Sequence, residues 1–308
     1  MRIQLPFALL AIVLACSLAS APAHARARVF VASYGNDSNP CTFGSPCKTF
    51  QQAVDVVDAG GEVTAIDSAG FGPINITKSV SITSPTGVEA GIVPAAGGNA
   101  ITIAAGAENE INLRGLIIEG SFTGATGIVF SSGGTLTIQD TVVRDFIDSG
   151  IGLTPNSSAH IAVSNTINNG GDGIFLQPSG GQPVFATFNR VEAYHNGLKG
   201  IGIFANNLGA ANLIATITDR VAVYNTDGFY FMGSRSFLAA QYVRVNRSTT
   251  MANSNAGIHA EDGGTMYVSQ TDLVESNITW IQDGSSCINT FGDNYVFDAA
   301  PCNVFPTK

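Results

Sequence analysis

The sequence predicts an all-β solenoid, a single elongated domain of short stacked coils, and three observations carry this reading. The motif Gly-apolar-x-apolar recurs from Gly127, Gly150, Gly173, Gly200, Gly228 and Gly257 at steps of 23, 23, 27, 28 and 29, and Thr279-Trp280-Ile281 fills the next slot. A second track, Leu113, Ile138, Val163 and Phe188, runs between these at steps of 25. From about Glu62 onward, short apolar alternations are punctuated by Gly, Asn, Asp and Ser, with neither a helical period nor a Pro-rich linker. Two independent tracks sharing one period, with two or three β runs per repeat, are what one coil of a β-solenoid requires. The missing consensus leucines and helices exclude leucine-rich and helical repeats.

Composition sets the outer limits. The 308 residues are 45% hydrophobic and 12% charged, which excludes bulk disorder. The formal net charge is −9, and it becomes −10 without the first 25 residues, whose one charged side chain is Arg2. Non-specific nucleic-acid binding needs a basic face, so no nucleic-acid partner is expected.

At the N-terminus, Met1-Arg2 precedes the apolar run Leu5 to Ala15, and small residues follow up to Ala23-His24-Ala25. This predicts a secretory signal peptide over 1–25 and a secreted or periplasmic mature chain. The run is too short to cross a membrane, which takes roughly 20 residues, so no membrane span is expected. The alternative is a lipobox, Val13-Leu14-Ala15-Cys16, which would anchor the chain through lipid on Cys16. Four further cysteines lie in close pairs at opposite ends. In an exported chain the economical pairing is Cys41 with Cys47 and Cys287 with Cys302. Neither gap has the spacing of a zinc site.

Residues 26–61 are expected to form an N-terminal strand, a disulfide loop and a capping helix. Thr49 with Gln52 makes a capping-box pattern, Phe50, Ala53, Val54 and Val57 share one helical face, and Gly60-Gly61 ends the run. Residues 62–308 are then the solenoid, about nine or ten coils at ~25 residues each, stacked about 4.8 Å apart. Within a strand, alternation sends Leu136, Ile138, Ala186 and Phe188 inward and Thr137, Gln139, Thr187 and Asn189 to water. At the far end the Cys287–Cys302 loop, with Tyr295, Phe297 and Phe305, is expected to cover the last coil.

The segments Phe30-Val-Ala-Ser-Tyr-Gly-Asn-Asp-Ser-Asn-Pro-Cys41 and Pro46-Cys-Lys-Thr-Phe-Gln-Gln-Ala-Val54 resemble the start of bacterial parallel β-helix proteins of the pectin-lyase-like superfamily. The resemblance extends over nearly the whole chain and implies a right-handed helix. That superfamily holds polysaccharide lyases, glycoside hydrolases, epimerases, phage tailspikes and adhesins, so membership identifies a scaffold and leaves function to the site. Its polygalacturonase-like pattern is Asn-Thr-Asp, Asp-Asp, Gly-His-Gly and Arg-Ile-Lys. The nearest matches here are Asn165-Thr166-Ile167, Gly171-Asp172-Gly173 and His195-Asn196-Gly197, with every carboxylate pair broken and no Arg-x-Lys. A dense acidic calcium cluster of the pectate-lyase kind and the Asp-Pro-His of mannuronan epimerases are both missing.

What the residues offer for chemistry is an aligned set. Asp148, Asp172 and Asp227 fall two, one and one positions before the repeating Gly. If Asp148 and Asp172 stack they can share a proton, and Asp172 and Asp227 lie two coils, roughly 10 Å, apart. Asp before Gly also shapes tight turns without any chemistry. His195 is the leading single acid/base candidate, ahead of His160 and His259. Arg190 and Arg220 suit ligand carboxylates, or else pair with Glu192 or Asp219. Tyr194, Tyr224, Tyr230 and Trp280 are candidates to stack on sugar rings, with Tyr194 and Tyr224 placed to meet each other, while Phe204, Phe229 and Phe231 read as core. Asn169, Asn196, Asn225 and Asn255 are expected to form a hydrogen-bonded ladder inside the turns. No cofactor or metal is nominated; calcium at an Asp/Asn turn has no Gly-Gly-x-Gly-x-Asp repeat behind it.

Three functions remain in view. One is an exported β-helix that binds an extracellular or cell-envelope polysaccharide. Another is a rigid structural or adhesive surface protein. The third is a carbohydrate-active enzyme, a lyase or hydrolase, using Asp148, Asp172, His195 or Asp227 in a non-standard site.

Overall fold

The structure is a computed structural model, and it describes residues 26–206, 211–234, 240–296 and 303–304. The leader expected over 1–25, the anchor at Cys16, and Phe297, Cys302 and Phe305 of the expected C-terminal cover lie outside the described residues. Strands stack in parallel into two sheets, one of nine strands and one of twenty, wrapped around a continuous apolar core. The nine strands separate eight full turns, fewer than the nine or ten expected. The difference arises because several steps exceed 25 residues.

Both sequence tracks are rows of inward side chains in strict register. On the nine-stranded face, Ile74, Ile101, Ile128, Ile151, Ile174, Ile201, Phe229 and Ile258 lie one above another, and Trp280 follows, partly buried. The larger sheet aligns Leu113, Ile138, Val163 and Phe188, and continues through Ile217, Val245 and Val268. Each such side chain contributes about 1.5–3 kcal/mol on burial, so the repeat itself supplies the core. Leu136, Ala186 and Phe188 are buried, while Gln139, Thr187 and Asn189 are exposed.

In the later coils, two left-handed bends divide the larger sheet into a long and a short strand per turn. Arg190, Asp219, Arg247 and Gln270 occupy the first bend, and His195, Tyr224, Ala252 and Glu275 the second, all with φ between 46° and 58°. The residue after the second bend points inward. Asn169, Asn196, Asn225 and Asn253 are buried there, and each of the first three donates its backbone N–H to the side-chain oxygen of the next, at 2.8 to 3.0 Å. The fourth member is Asn253, where Asn255 was expected. Asn253 precedes its Gly by four residues, as Asn169 and Asn196 do, whereas Asn255 lies two before Gly257 and turns to Asp227 instead.

The N-terminal end is closed by local devices. Thr49 caps the helix Phe50–Val56 by accepting the Gln52 N–H at 3.2 Å, and Phe50, Ala53 and Val54 are buried. From the exposed side, the Gln51 amide accepts the Asn75 N–H at 2.7 Å and donates to the Asn75 carbonyl at 3.4 Å, pairing with the free edge of the first strand of that face. A disulfide joins Cys41 to Cys47, and the loop it closes covers one edge of the strand Arg28–Val31, where Phe30 donates its N–H to the Cys41 carbonyl and accepts the Cys47 N–H. At the other end Cys287 opens the strand Cys287–Thr290, and Tyr295 is exposed. No helix among the described residues is long and apolar enough to cross a membrane.

Candidate functional site

The outward side of the nine-stranded face carries a charged row. Residues immediately before the repeating Gly are in register, so Ser149, Asp172, Lys199, Asp227 and Ala256 stack in that order. Asp148 stacks instead on Gly171 and is exposed, so the expected Asp148–Asp172 pair does not form. Asp172 and Asp227 are two coils apart as expected, with Lys199 between them. Both carboxylates are nearly enclosed, at 5% and 4% exposure.

Their environments push them in opposite directions. Burial raises the Asp172 pKa, against the Lys199 N–H bond at 2.8 Å and the Lys199 charge, and the nearby Asp227 adds to the rise. For Asp227 burial also works upward, but hydrogen bonds from His259 and Asn255, with the charges of His259 and Lys199, outweigh it and hold the carboxyl below its ordinary range. The Asn255 bond is 2.7 Å, which is where that side chain goes in place of the ladder. Burial lowers the His259 pKa, and Asp227 and Asp283 more than reverse this, so it lies above the usual imidazole value.

Beside the charges runs a row of rings. Phe175, Phe204, Tyr230 and His259 follow one another at centroid separations of 5.0, 5.1 and 5.0 Å, and the Lys199 ammonium lies 4.6 Å from the Tyr230 ring centre. Phe204 therefore faces outward rather than filling the core, whereas Phe229 and Phe231 are buried as expected. Tyr230 is enclosed and donates its hydroxyl to Glu261 Oε2. Tyr230 and Trp280 are thus not the freely exposed rings the sequence suggested.

The second bend presents a separate, exposed aromatic group. Tyr194 and Tyr224 are 42% and 48% exposed, with centroids 5.6 Å apart and planes at 82°. His195 completes a mutually touching triangle of rings, edge-on to Tyr194 at 4.2 Å and stacked on Tyr224 at 4.8 Å and 11°. Shallow hollows of about 440 and 400 Å³ flank His195, and exposed Phe122 and Ile147 line the first.

The two arginines separate. Arg190 is exposed at the first bend. Arg220 is 1% exposed and donates to the carbonyls of Phe188 at 2.6 Å and Asp219 at 3.3 Å, and burial brings its pKa down to about 9. It is a structural strut, unavailable to a ligand carboxylate. Asp219 pairs with Arg247 in a fork of 2.8 and 3.0 Å, not with Arg190 or Arg220. Among the described residues no three His, Cys, Asp or Glu side chains are grouped to hold a metal ion.

Sequence reasoning ranked His259 below His195 because a lone His carries no sign of its partners. Lys199 was legible, since it precedes Gly200 as Asp172 and Asp227 precede their own glycines. The row thus carries a cation between its two acids.

No family model matches the sequence, and no curated protein matches it. Solved structures do. Pectate lyase Pel9A superposes with a TM-score of 0.61 at 15% identity, over 85% of this chain and 74% of that one. XylC, in a complex with xylose, superposes with a TM-score of 0.56 at 10% identity, over 86% and 68%. At such identities the likeness is one of fold. The chain is a right-handed parallel β-helix with the pectin-lyase-like fold.

Proposed function

We propose that the mature chain is an exported β-helix that binds an extracellular or cell-envelope polysaccharide, holding it for a structural or adhesive purpose. One observation carries the reading: Tyr194, His195 and Tyr224 form an exposed ring cluster on adjacent coils, flanked by open hollows. Apolar ring faces with polar rims suit the alternating C–H and hydroxyl faces of sugars. The fold likeness to a pectate lyase and to a protein solved with xylose is consistent with it. The test is titration of residues 26–308 against neutral and acidic glycans, with a Tyr194→Ala/Tyr224→Ala variant alongside. Binding that weakens about tenfold or more in the variant supports the proposal; no binding to any glycan by the unaltered protein overturns it.

A second reading, a carbohydrate-active enzyme, is favoured by the split between Asp172 and Asp227. Two carboxylates whose environments drive their pKa values apart are the usual basis of an acid and base pair. Against it stands their enclosure. Release of unsaturated products or reducing ends, abolished by Asp172→Asn or Asp227→Asn, would establish it in place of binding alone.

A further inference from the structure

The last turn of the nine-stranded face is fastened through one imidazole, and the fastening needs a proton. His259 Nδ1 lies 3.3 Å from Asp227 Oδ2, and Nε2 lies 3.2 Å from Asp283 Oδ2. Ionised carboxylates only accept hydrogen bonds, and a neutral imidazole carries a single N–H. Both contacts are therefore hydrogen bonds only while the ring is an imidazolium. Once the proton leaves, one of the two carboxylates faces a ring lone pair, which repels it.

The surroundings decide which contact gives way. The Asp227 side chain is 6% exposed, and its Oδ1 also accepts the Asn255 amide at 2.7 Å and the Ala256 N–H at 3.2 Å. The Asp283 side chain is 60% exposed, and among the described residues no other group donates to its carboxylate. Withdrawing a donor costs an enclosed carboxylate more than one that reaches water. The remaining N–H thus stays with Asp227, and Asp283 turns to solvent.

The other ionisable groups around the ring act in the same sense. Tyr230 lies on the strand before, its hydroxyl bonded to Glu261, and Lys199 sits over the Tyr230 ring from the coil before that. Asp262 stands beside the turn, where a Cβ on Gly284 would lie 3.4 Å from Asp262 Oδ1. With the imidazole neutral, Asp283 keeps like charge beside it and loses the one cation it touched. Asp283 follows directly on the strand Ile278–Gln282, whose Trp280 stacks on Ile258. The Asp283 N–H bonds the Ala260 carbonyl at 3.0 Å, so the strand keeps its place while the turn behind it loses its side-chain anchor.

We infer that His259 is a pH-operated latch: protonated, it pins the turn 283–286 to the solenoid through Asp283, and on losing its proton it releases that turn while keeping Asp227. The inference does not depend on ligand binding at the Tyr194–His195–Tyr224 edge.

Trp280 is the sole tryptophan of the chain and lies three residues before Asp283, so its emission reports on this turn without a label. The test follows acrylamide quenching of Trp280, and amide exchange of residues 278–286 referenced to the strand Ile128–Ser132, across the imidazole range of about pH 5 to 9. The mature chain, residues 26–308, is compared with Asp283→Asn and His259→Gln, with thermal melts to confirm folding. In the unaltered protein one transition is expected, with protection of 283–286 falling about three- to tenfold against the reference as pH rises. Asp283→Asn, whose amide can donate to the neutral ring, should keep the turn fastened and show no transition, and His259→Gln should show none because nothing titrates there. Asp283 is exposed, so Asp283→Asn carries the test even if His259→Gln fails to fold. A flat profile in the unaltered protein, the same transition in Asp283→Asn, or equal loosening of Ile128–Ser132 overturns the inference.

Discussion

His259 bridges to Asp227 on the coil before it, Nδ1 to Oδ2 at 3.3 Å, and its other nitrogen lies 3.2 Å from Asp283 Oδ2 on the coil after. One imidazole therefore ties three consecutive turns together. Other charged groups facing it are Lys199, across the Tyr230 ring, and Glu261, at the Tyr230 hydroxyl.

The pH dependence of stability follows from the signs. The His259 pKa is raised in the folded chain, so its contribution is complete below the unfolded value near 6.5 and is lost as pH rises through the folded value. The Asp227 pKa is lowered, so its contribution is present above its unfolded value and disappears as pH falls through the folded one. Stability from the pair should peak between those limits. Melting temperature measured against pH should fall on the alkaline side in the unaltered protein and lose that slope in His259→Gln; an identical slope in the variant contradicts the assignment.

Removing a rung of the asparagine ladder should be costly. Asn225→Ala leaves the backbone and side-chain N–H groups of buried Asn196 without their acceptor, so a loss of about 1–3 kcal/mol is expected in urea unfolding. Asn255→Ala, outside the ladder, should cost less, and a reversed order would contradict the register described above.

Close approach between coils sets another limit. A Cβ on Gly197 would lie 1.8 Å from the Gly170 carbonyl oxygen of the neighbouring turn. Gly197→Ala should destabilise by about 1–3 kcal/mol or more and lower the melting temperature accordingly. Gly44→Ala, where a Cβ would meet nothing within 4 Å, is the matched control and should be nearly neutral.

The N-terminal closure is open to direct test. Cys41→Ser/Cys47→Ser removes a short covalent loop and should cost about 2 kcal/mol by the chain-entropy model. Gln51→Ala leaves the edge at Asn75 unpaired. Amide exchange in residues 74–76 should accelerate in Gln51→Ala ahead of the rest of the stack, and uniform acceleration would argue against a local capping role.

How far the fold was legible follows from which signals are periodic. Both inward rows repeat in the sequence because every coil must fill the same core, so Ile201 or Phe188 announces its partners one period away. The helix Phe50–Val56 was legible through Thr49 and Gln52 because capping is local. Asn253 keeps the four-residue offset of Asn169 and Asn196 from the repeating Gly, but Asn255 in the same turn is an equally plausible residue type, and only the fold tells the two apart. The site was less legible because burial and pairing are not written in the period: Arg220 and Arg190 look alike in sequence, and only the inward turn after Asp219 separates a buried strut from an exposed cation. His259 gained its role from Asp227 and Asp283, each on a different coil.

Binding at the exposed edge is the central claim, and amide hydrogen exchange with and without a saturating neutral oligosaccharide tests it most directly. Protection concentrated at residues 194–198 and 224–226 is the predicted result. No protection on any face, or protection elsewhere with this edge unchanged, would contradict the account.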